Sequence, residues 1–375
     1  MQFSPLSTVK HRVLVGQPLP FNVRDHDATL LLARGMVVQT FEQMDALFTR
    51  GALVDIAELR AVISPQAVKA AARHELPGLW TNSVEQVGST LRAAGTETFR
   101  AALDEASAPV QALIERDPDL AIVQVLRQPG NAWVEYGIHH STHCAIVSLL
   151  VAQRMGWPAE EAQRAFKAAL TMNVAMLELQ GQLAEQEAPP TDEQRQLIHE
   201  HPTRSVELLR LSGVTDEEWL TAVAQHHEVP DGSGYPAGIT QIHDVASLVR
   251  RSDQYTAKLS PRATRDGMSA DRAGRLMFMQ DPGSPMTVAL AKEFGLYPPG
   301  CFVTLASGER GVVVRRGRTV MSPIVAVFTN RHGHSLDQPQ PRDTSSAAYA
   351  ITGTMPVLQE VKAFDLCKLV ALTGA

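Results

Sequence analysis

A mainly α fold, a helical bundle carrying a small β-rich module at each end, is predicted by three features of the 375-residue chain. From Ser83 to about Gly295, apolar residues recur at spacings of three and four, the period of helices with one buried face. Residues 1–58 and 297–375 instead carry short apolar runs broken by glycine, proline and polar turns, as short strands do. Between them, residues 59–82 read as a linker, so the expected order is β-rich module (1–58), linker (59–82), helical domain (83–296) and small β-rich C-terminal domain (297–375).

In chain order, Val13 to Pro20, Phe21-Asn22-Val23, Thr29 to Leu32 and Met36-Val37-Val38 read as strands, with a polar turn at Arg24-Asp25-His26-Asp27. Thr40-Phe41-Glu42-Gln43 is a capping box, and its helix runs to Arg50 before Gly51 stops it. The linker holds one helix started by Ser64-Pro65 and a break at Pro77-Gly78. In the helical domain, Ser83-x-x-Gln86 and Thr191-x-x-Gln194 are capping boxes, Pro158 and Pro285 occupy first turns, and Gly213 and Gly295 end apolar periods. Eight or nine helices result. After Tyr297-Pro298-Pro299-Gly300, a β-meander is expected from Phe302 to Leu305, Val312 to Val314 and Ile324 to Phe328, with Arg315, Arg316 and Arg318 at a solvated hairpin tip. His332 to Ser346 reads as a polar loop, and Val357 to Leu372 as a terminal strand or helix.

The net charge of −6 and a pI near 6.1 argue against duplex nucleic acid as partner, because phosphate binding needs clustered Lys and Arg. The longest apolar run, Ala145 to Ala152, is far short of the roughly 20 residues of a membrane span. Met1-Gln2-Phe3-Ser4-Pro5 lacks the basic start of a secretory signal, so a cytoplasmic location is expected. Cys144, Cys301 and Cys367 are scattered and in no metal-like spacing, and read as buried small apolar residues.

Polar residues on the buried stripes carry the functional signal. Trp133, Gly137, His140, Cys144, Val147 and Val151 form one stripe; Phe166, Leu170, Asn173 and Leu177 a second; Leu197, His201, Ser205 and Leu208 a third. Trp219 and Val223 lead to His226 or His227, and Val245 and Val249 to Asp253 and Ala257. Imidazole and carboxylate groups turned into one core pair with each other or coordinate a metal, since burying them unpaired is costly. His139, His143, His199 and His243 fall off the stripes and are expected at the surface or behind the ligands. His226-His227-Glu228-Val229-Pro230-Asp231-Gly232-Ser233-Gly234-Tyr235-Pro236 cannot continue a helix and must turn back close to the histidines.

With His140-Ser141, His201-Pro202, His226-His227-Glu228, Asp231-Gly232-Ser233-Gly234-Tyr235-Pro236 and Asp253-x-Tyr255-x-Ala257 in this order, the segment from about Tyr136 to Arg265 resembles an HD-GYP domain. This is the cyclic-di-GMP phosphodiesterase type of the HD superfamily of metal-dependent phosphohydrolases. The resemblance implies an all-helical HD-GYP bundle with two or three iron or manganese ions. It places metal ligands at His140, His201, His226, His227 and Asp253, and phosphate-holding residues at Arg262 and Arg265. It also implies a recognition loop at Asp231, Gly232, Gly234, Tyr235 and Pro236, linked to contacts with diguanylate cyclase domains. An exposed Tyr235 beside a rigid Pro236 would suit such a contact, and a loop that only caps the metal pocket fits equally.

One departure bears on mechanism. Where the family has adjacent His and Asp followed by Gly-Lys, this chain reads Met172-Asn173-Val174-Ala175-Met176, on a helix expected to continue through Asn173. A glutamate often found one turn before the first histidine is replaced by Tyr136, with Glu135 one residue off. Two-metal hydrolysis clamps the attacking and leaving oxygens between ions, and the aspartate absent here is the bridge that the resemblance implies. The expectation is a catalytically impaired signalling protein that binds cyclic-di-GMP or a partner. The alternatives are a phosphodiesterase or phosphohydrolase with an altered, at most partly occupied metal centre, and a scaffold that binds neither.

Overall fold

The computed structural model describes residues 3–8, 13, 15, 19, 21–55, 63–127 and 135–355. The element expected over Val357 to Leu372, Trp133, Cys367 and most of Val15 to Pro20 lie outside the described residues. The fold class is the expected one: a helical bundle with a small antiparallel sheet at each end.

The N-terminal sheet has four short strands, β1 (Phe3–Pro5), β2 (Val23–Arg24), β3 (Leu30–Leu32) and β4 (Leu53–Asp55), in the order β1-β4-β2-β3. Helix α1 (Phe41–Thr49) covers it, and Leu6, Phe21, Val23, Leu47 and Val54 share one apolar cluster. Sequence periodicity misses β1 and β4 because strands of three residues are too short to show alternation. Asp25, expected in a solvated turn, is buried and accepts from Arg50 Nε at 2.8 Å, which holds its carboxyl well below the usual range.

The bundle begins earlier than expected. After α2 (Pro65–Ala70), helix α3 (Leu76–Leu91) starts at the supposed break, with Pro77 in its first turn, where its missing N–H costs nothing. Ser83 is therefore buried mid-helix and caps nothing, and Val68, Leu76 and Trp80 pack into the same cluster as the helical domain. Residues 65–82 are part of the bundle core, not a bare connection. The bundle continues through α4 (Phe99–Arg116), α5 (Pro118–Leu126), α6 (Tyr136–Arg154), α7 (Ala159–Thr171), α8 (Leu177–Glu185), α9 (Asp192–Leu211), α10 (Glu217–Gln225), α11 (Asp244–Leu259), α12 (Ala270–Gln280) and α13 (Pro285–Phe294). Thr191 and Gln194 form the expected reciprocal cap of α9, at 3.2 and 2.9 Å. Among the described residues no helix is long and apolar enough to cross a membrane.

The C-terminal sheet runs β8-β7-β6-β5-β9, built from β5 (Phe302–Leu305), β6 (Arg310–Arg315), β7 (Ile324–Thr329), β8 (Ser335–Asp343) and β9 (Ile351–Met355). The segment expected as a polar loop holds β8 instead. It carries Pro339 and Pro341 because it is an edge strand, where a proline need not donate to a neighbour on its open side. Nor is Arg316 a solvated tip residue. Its guanidinium is bonded to Asp119 of α5 and Glu293 of α13, and Glu293 also takes Arg154 at the end of α6.

Candidate functional site

Helix α6 presents His140 and Cys144 one turn apart on a face packed against α11, which supplies Asp253 and Thr256. His140 Nε2 lies 2.7 Å from Asp253 Oδ1 and 3.6 Å from Cys144 Sγ, and the sulfur lies 3.0 Å from Thr256 Oγ1. Burial alone would discharge the His140 ring, but the adjacent sulfur and the carboxylate outweigh it and raise the ring well above its ordinary value. Asp253 sits well below the carboxylate range: burial opposes this, and the bond from His140 prevails. The Tyr136 ring stacks on His140 at 6.0 Å.

Across the core, His201 comes from α9, and His226 and His227 from the end of α10. His201 Nδ1 donates to the Ile198 carbonyl and His226 Nδ1 to that of Val223, both at 2.6 Å. With Nδ1 the donor in each ring, the two Nε2 atoms, 3.1 Å apart, turn lone pairs toward each other. Burial, reinforced by His226, depresses His201 to about 3, so a proton does not fill that gap at neutral pH. A cation does. The donor atoms of His201, His226 and His227 all lie within 4.8 Å of one another, as do those of His140, Cys144 and Asp253, so two groups suited to a metal face this core.

The loop after His227 is folded by Glu228 and Gly234. Glu228 is buried and accepts backbone N–H bonds from Ala237 at 2.7 Å and Ile239 at 3.2 Å, closing the loop on its own start. A Cβ on Gly234 would come within 2.5 Å of Glu228 Cα, so only glycine fits that approach. Tyr235, whose direction the sequence leaves open, is half-buried: its ring stacks on His227 at 4.5 Å and on His199 at 5.3 Å. Packing an aromatic ring over imidazoles removes more apolar surface from water than pointing it outward. Of the two roles open for this loop, capping the histidines is what Tyr235 does. Asp231 and Gly232 form the outer turn, with Asp231 Oδ1 accepting from Ser233 N at 2.9 Å, and the Tyr235–Pro236 bond is cis.

Helix α7 ends at Thr171 and does not run on through Asn173 as expected. Met172 caps it, and a short 3₁₀ turn (Val174–Met176) leads into α8. Met172 is fully buried in the apolar core, and Asn173 is 3% exposed with its Oδ1 lacking any partner. Glu135 does point elsewhere, bonding Arg92 at 2.7 Å. Arg262 is half-buried, with its guanidinium 5.9 Å from the Tyr136 ring centroid, and it lines a 260 Å³ cavity with Gln186, Pro190 and Ile198. Arg265 is exposed and donates to the Ala257 carbonyl at 2.5 Å, so its guanidinium is already engaged.

A family model described as HD domain matches residues 134–280. The chain is 28% identical over 200 residues to Cyclic di-GMP phosphodiesterase PA4108 of Pseudomonas aeruginosa, covering 52% of this chain and 48% of that protein. It is 24% identical over 137 residues to Cyclic di-GMP phosphodiesterase PdeB of Borreliella burgdorferi, covering 36% of each. The matches thus span about half, or less, of those relatives. A solved structure, Bd1817, an HDG"Y"P protein from Bdellovibrio bacteriovorus, superposes with a TM-score of 0.55 at 15% identity, covering 77% of this chain and 97% of that one. Residues 134–280 belong to the HD domain family, and the comparisons together support an HD-GYP domain there.

Within the HD-GYP domain, the fold gathers His140, Asp253, His201, His226 and His227 at one core and leaves Arg265 outside it. Four features escaped the sequence reading. Glu228 is a lone carboxylate between an imidazole pair and a glycine turn, and that placement is the sequence signal for an acceptor that closes the loop. His143, expected at the surface or behind the ligands, is buried, and burial holds its ring well below the ordinary value. Cys144 is buried as expected, but its sulfur also lies 3.6 Å from His140 Nε2, a contact that its spacing in sequence does not announce. Arg250 is half-buried near Asp253 and makes no ion pair or hydrogen bond among the described residues. Glu228→Ala is expected to cost about 2–3 kcal/mol, since a charged acceptor is lost from two N–H groups; a urea midpoint and faster amide exchange at Ala237 and Ile239 check this.

Proposed function

We propose that this HD-GYP protein is a cyclic-di-GMP signalling module that binds nucleotide, and a divalent ion, without efficient hydrolysis. The observation that carries the reading is Met172 and Asn173 at the end of α7: a buried thioether and an amide whose oxygen has no partner among the described residues occupy the places where the family resemblance implies a histidine ligand and a bridging carboxylate. A thioether is a poor ligand for hard divalent ions, and a neutral amide cannot hold two cations together. The donor set that fits an ion is His140, Asp253, His201, His226 and His227, supported by the facing lone pairs of His201 and His226. When bound, a divalent ion, iron or manganese by family resemblance, supplies positive charge for phosphate oxygens and acidifies a water.

The chain's own residues orient the ligand. Arg262 offers a guanidinium beside Tyr136 and next to the cavity, suited to one phosphate of a dianionic dinucleotide, and Arg250 adds a second positive charge near Asp253. Tyr235 and the loop closed by Glu228 shield the imidazoles from water. The outer turn at Asp231 and Ser233 is exposed and is the part of the loop open to a protein partner such as a diguanylate cyclase domain.

A second reading, a phosphodiesterase with an altered centre, is favoured by the survival of both donor groups and by relatives that carry that name. One anaerobic preparation separates the two. Cyclic-di-GMP should raise the melting temperature, as any ligand of the native state does, while no linear dinucleotide or GMP accumulates. Metal-dependent turnover that His226→Ala abolishes would establish the second reading, and no thermal shift at saturating nucleotide would leave only a scaffold.

A further inference from the structure

We propose that Cys144 is itself a metal ligand, forming with His140 and Asp253 a half-site that takes zinc in preference to iron or manganese. The inference rests on the reading that this domain holds a divalent ion.

The geometry is already close to what a tetrahedral ion requires. With a zinc–sulfur bond of about 2.3 Å and a zinc–nitrogen bond of about 2.1 Å, tetrahedral coordination puts sulfur and nitrogen about 3.6 Å apart. Cys144 Sγ and His140 Nε2 are separated by 3.6 Å. Asp253 Oδ1, now 2.7 Å from that nitrogen as its hydrogen-bond partner, would have to retreat by only about 0.7 Å to reach the corresponding N–O edge of about 3.4 Å. The Thr256 hydroxyl lies 3.0 Å from the sulfur and donates to the Ser252 carbonyl at 2.9 Å; turning that proton to a thiolate would orient the sulfur, as groups behind the ligands do in metal sites.

The chemistry selects the ion. Tyr136 and Met172 stand where this half of the core would otherwise offer a carboxylate and an imidazole, and neither provides a strong hard donor. What remains is one imidazole, one thiol and one carboxylate from two helices, three ligands with a fourth position open, which is a zinc pattern. Thiolate donors favour zinc over the harder iron(II) and manganese(II). Binding breaks the S–H bond: the proton leaves to solvent, the electron pair stays on sulfur and bonds the ion, and nothing is oxidised or reduced. The other donor group, His201, His226 and His227, contains no sulfur and does not share this preference.

Full-length protein stripped with chelator and titrated anaerobically with cobalt(II) and zinc(II) tests the proposal. Cobalt-loaded wild type should show an intense near-ultraviolet sulfur-to-cobalt charge-transfer band that Cys144→Ser removes, with zinc affinity at least tenfold weaker in that variant. If Cys144→Ser fails to fold, a Cys301→Ser/Cys367→Ser double variant decides, because the band must survive there. Cobalt bound without the band, or a band lost with the double variant, overturns the role of Cys144 and leaves the divalent-ion reading intact. No cobalt or zinc bound at all overturns both.

Discussion

Asn173→Asp is expected to lower the melting temperature of chelator-treated protein by about 6–12 °C, and to make that temperature strongly dependent on added divalent metal. Asn173 is 3% exposed and its Oδ1 has no partner among the described residues, so the substitution places a carboxylate at a buried position where the oxygen already present is unsatisfied. Such burial raises a carboxyl pKa by several units, and two to three units correspond to about 3–4 kcal/mol of lost stability at neutral pH. For a domain of this size about 1 kcal/mol moves the midpoint by roughly 2–4 °C. Metal reverses the sign, because an ion that binds the native state alone at 100 times its dissociation constant returns about 2.7 kcal/mol. Calorimetry with and without manganese(II) reads both effects. A variant whose midpoint ignores metal would show that the end of α7 does not face the ion site. Met172→His added to Asn173→Asp should raise bound metal per chain and restore measurable hydrolysis of cyclic-di-GMP.

Acid should unfold the metal-free protein earlier than its composition suggests. His143 and His201 are buried and His227 is half-buried, and desolvation holds each ring below its ordinary value, His201 at about 3. A histidine with a folded pKa below its unfolded one contributes stability that is present above about pH 6.5 and is lost as pH falls toward the folded pKa. Between pH 6.5 and 5 the loss is about 1.7 kcal/mol for a ring that stays neutral throughout, as His201 does, and His143 and His227 add to it in the same direction. His226, also depressed, adds to this. His140 does not offset it: its folded pKa is raised, so its contribution is complete below pH 6.5 and is lost only as pH rises. Urea midpoints at pH 7.5, 6.5, 5.5 and 5.0 should fall steeply below 6.5. A flat profile would mean that these rings reach water.

Much of this site was legible because its chemistry is local. The density of His226 to Pro236 announces a turn beside paired imidazoles, and the helical period alone placed His140, His201 and Asp253 on inward faces. Met172 and Asn173 were visible as departures. What stayed hidden depends on partners far along the chain. Arg316 looked like a solvated tip residue, and its bond to Asp119 joins positions 197 apart, which no window of sequence reveals. The direction of Tyr235 was open because a loop ring can cap a pocket or face a partner with the same neighbours in sequence. The end of α7 at Thr171 was misplaced because Asn173 and Leu177 continue the apolar spacing even though the backbone tightens to a 3₁₀ turn. Strand β8 was missed because its prolines argue against a strand anywhere but at an open edge.

The donors of the core come from separate supports: α6, α9, the end of α10 and α11, each held by its own packing. His201 and His226 take their tautomer from carbonyls three residues upstream on their own helices, not from a shared ion or from each other. A change at the end of α7 therefore leaves their rings aimed as before. A centre assembled this way can lose its reactivity in steps, one support at a time, while its shape and its affinity for a charged guest persist. On the proposed reading, two adjacent substitutions would be enough to turn a centre that consumes a messenger into one that reports its concentration.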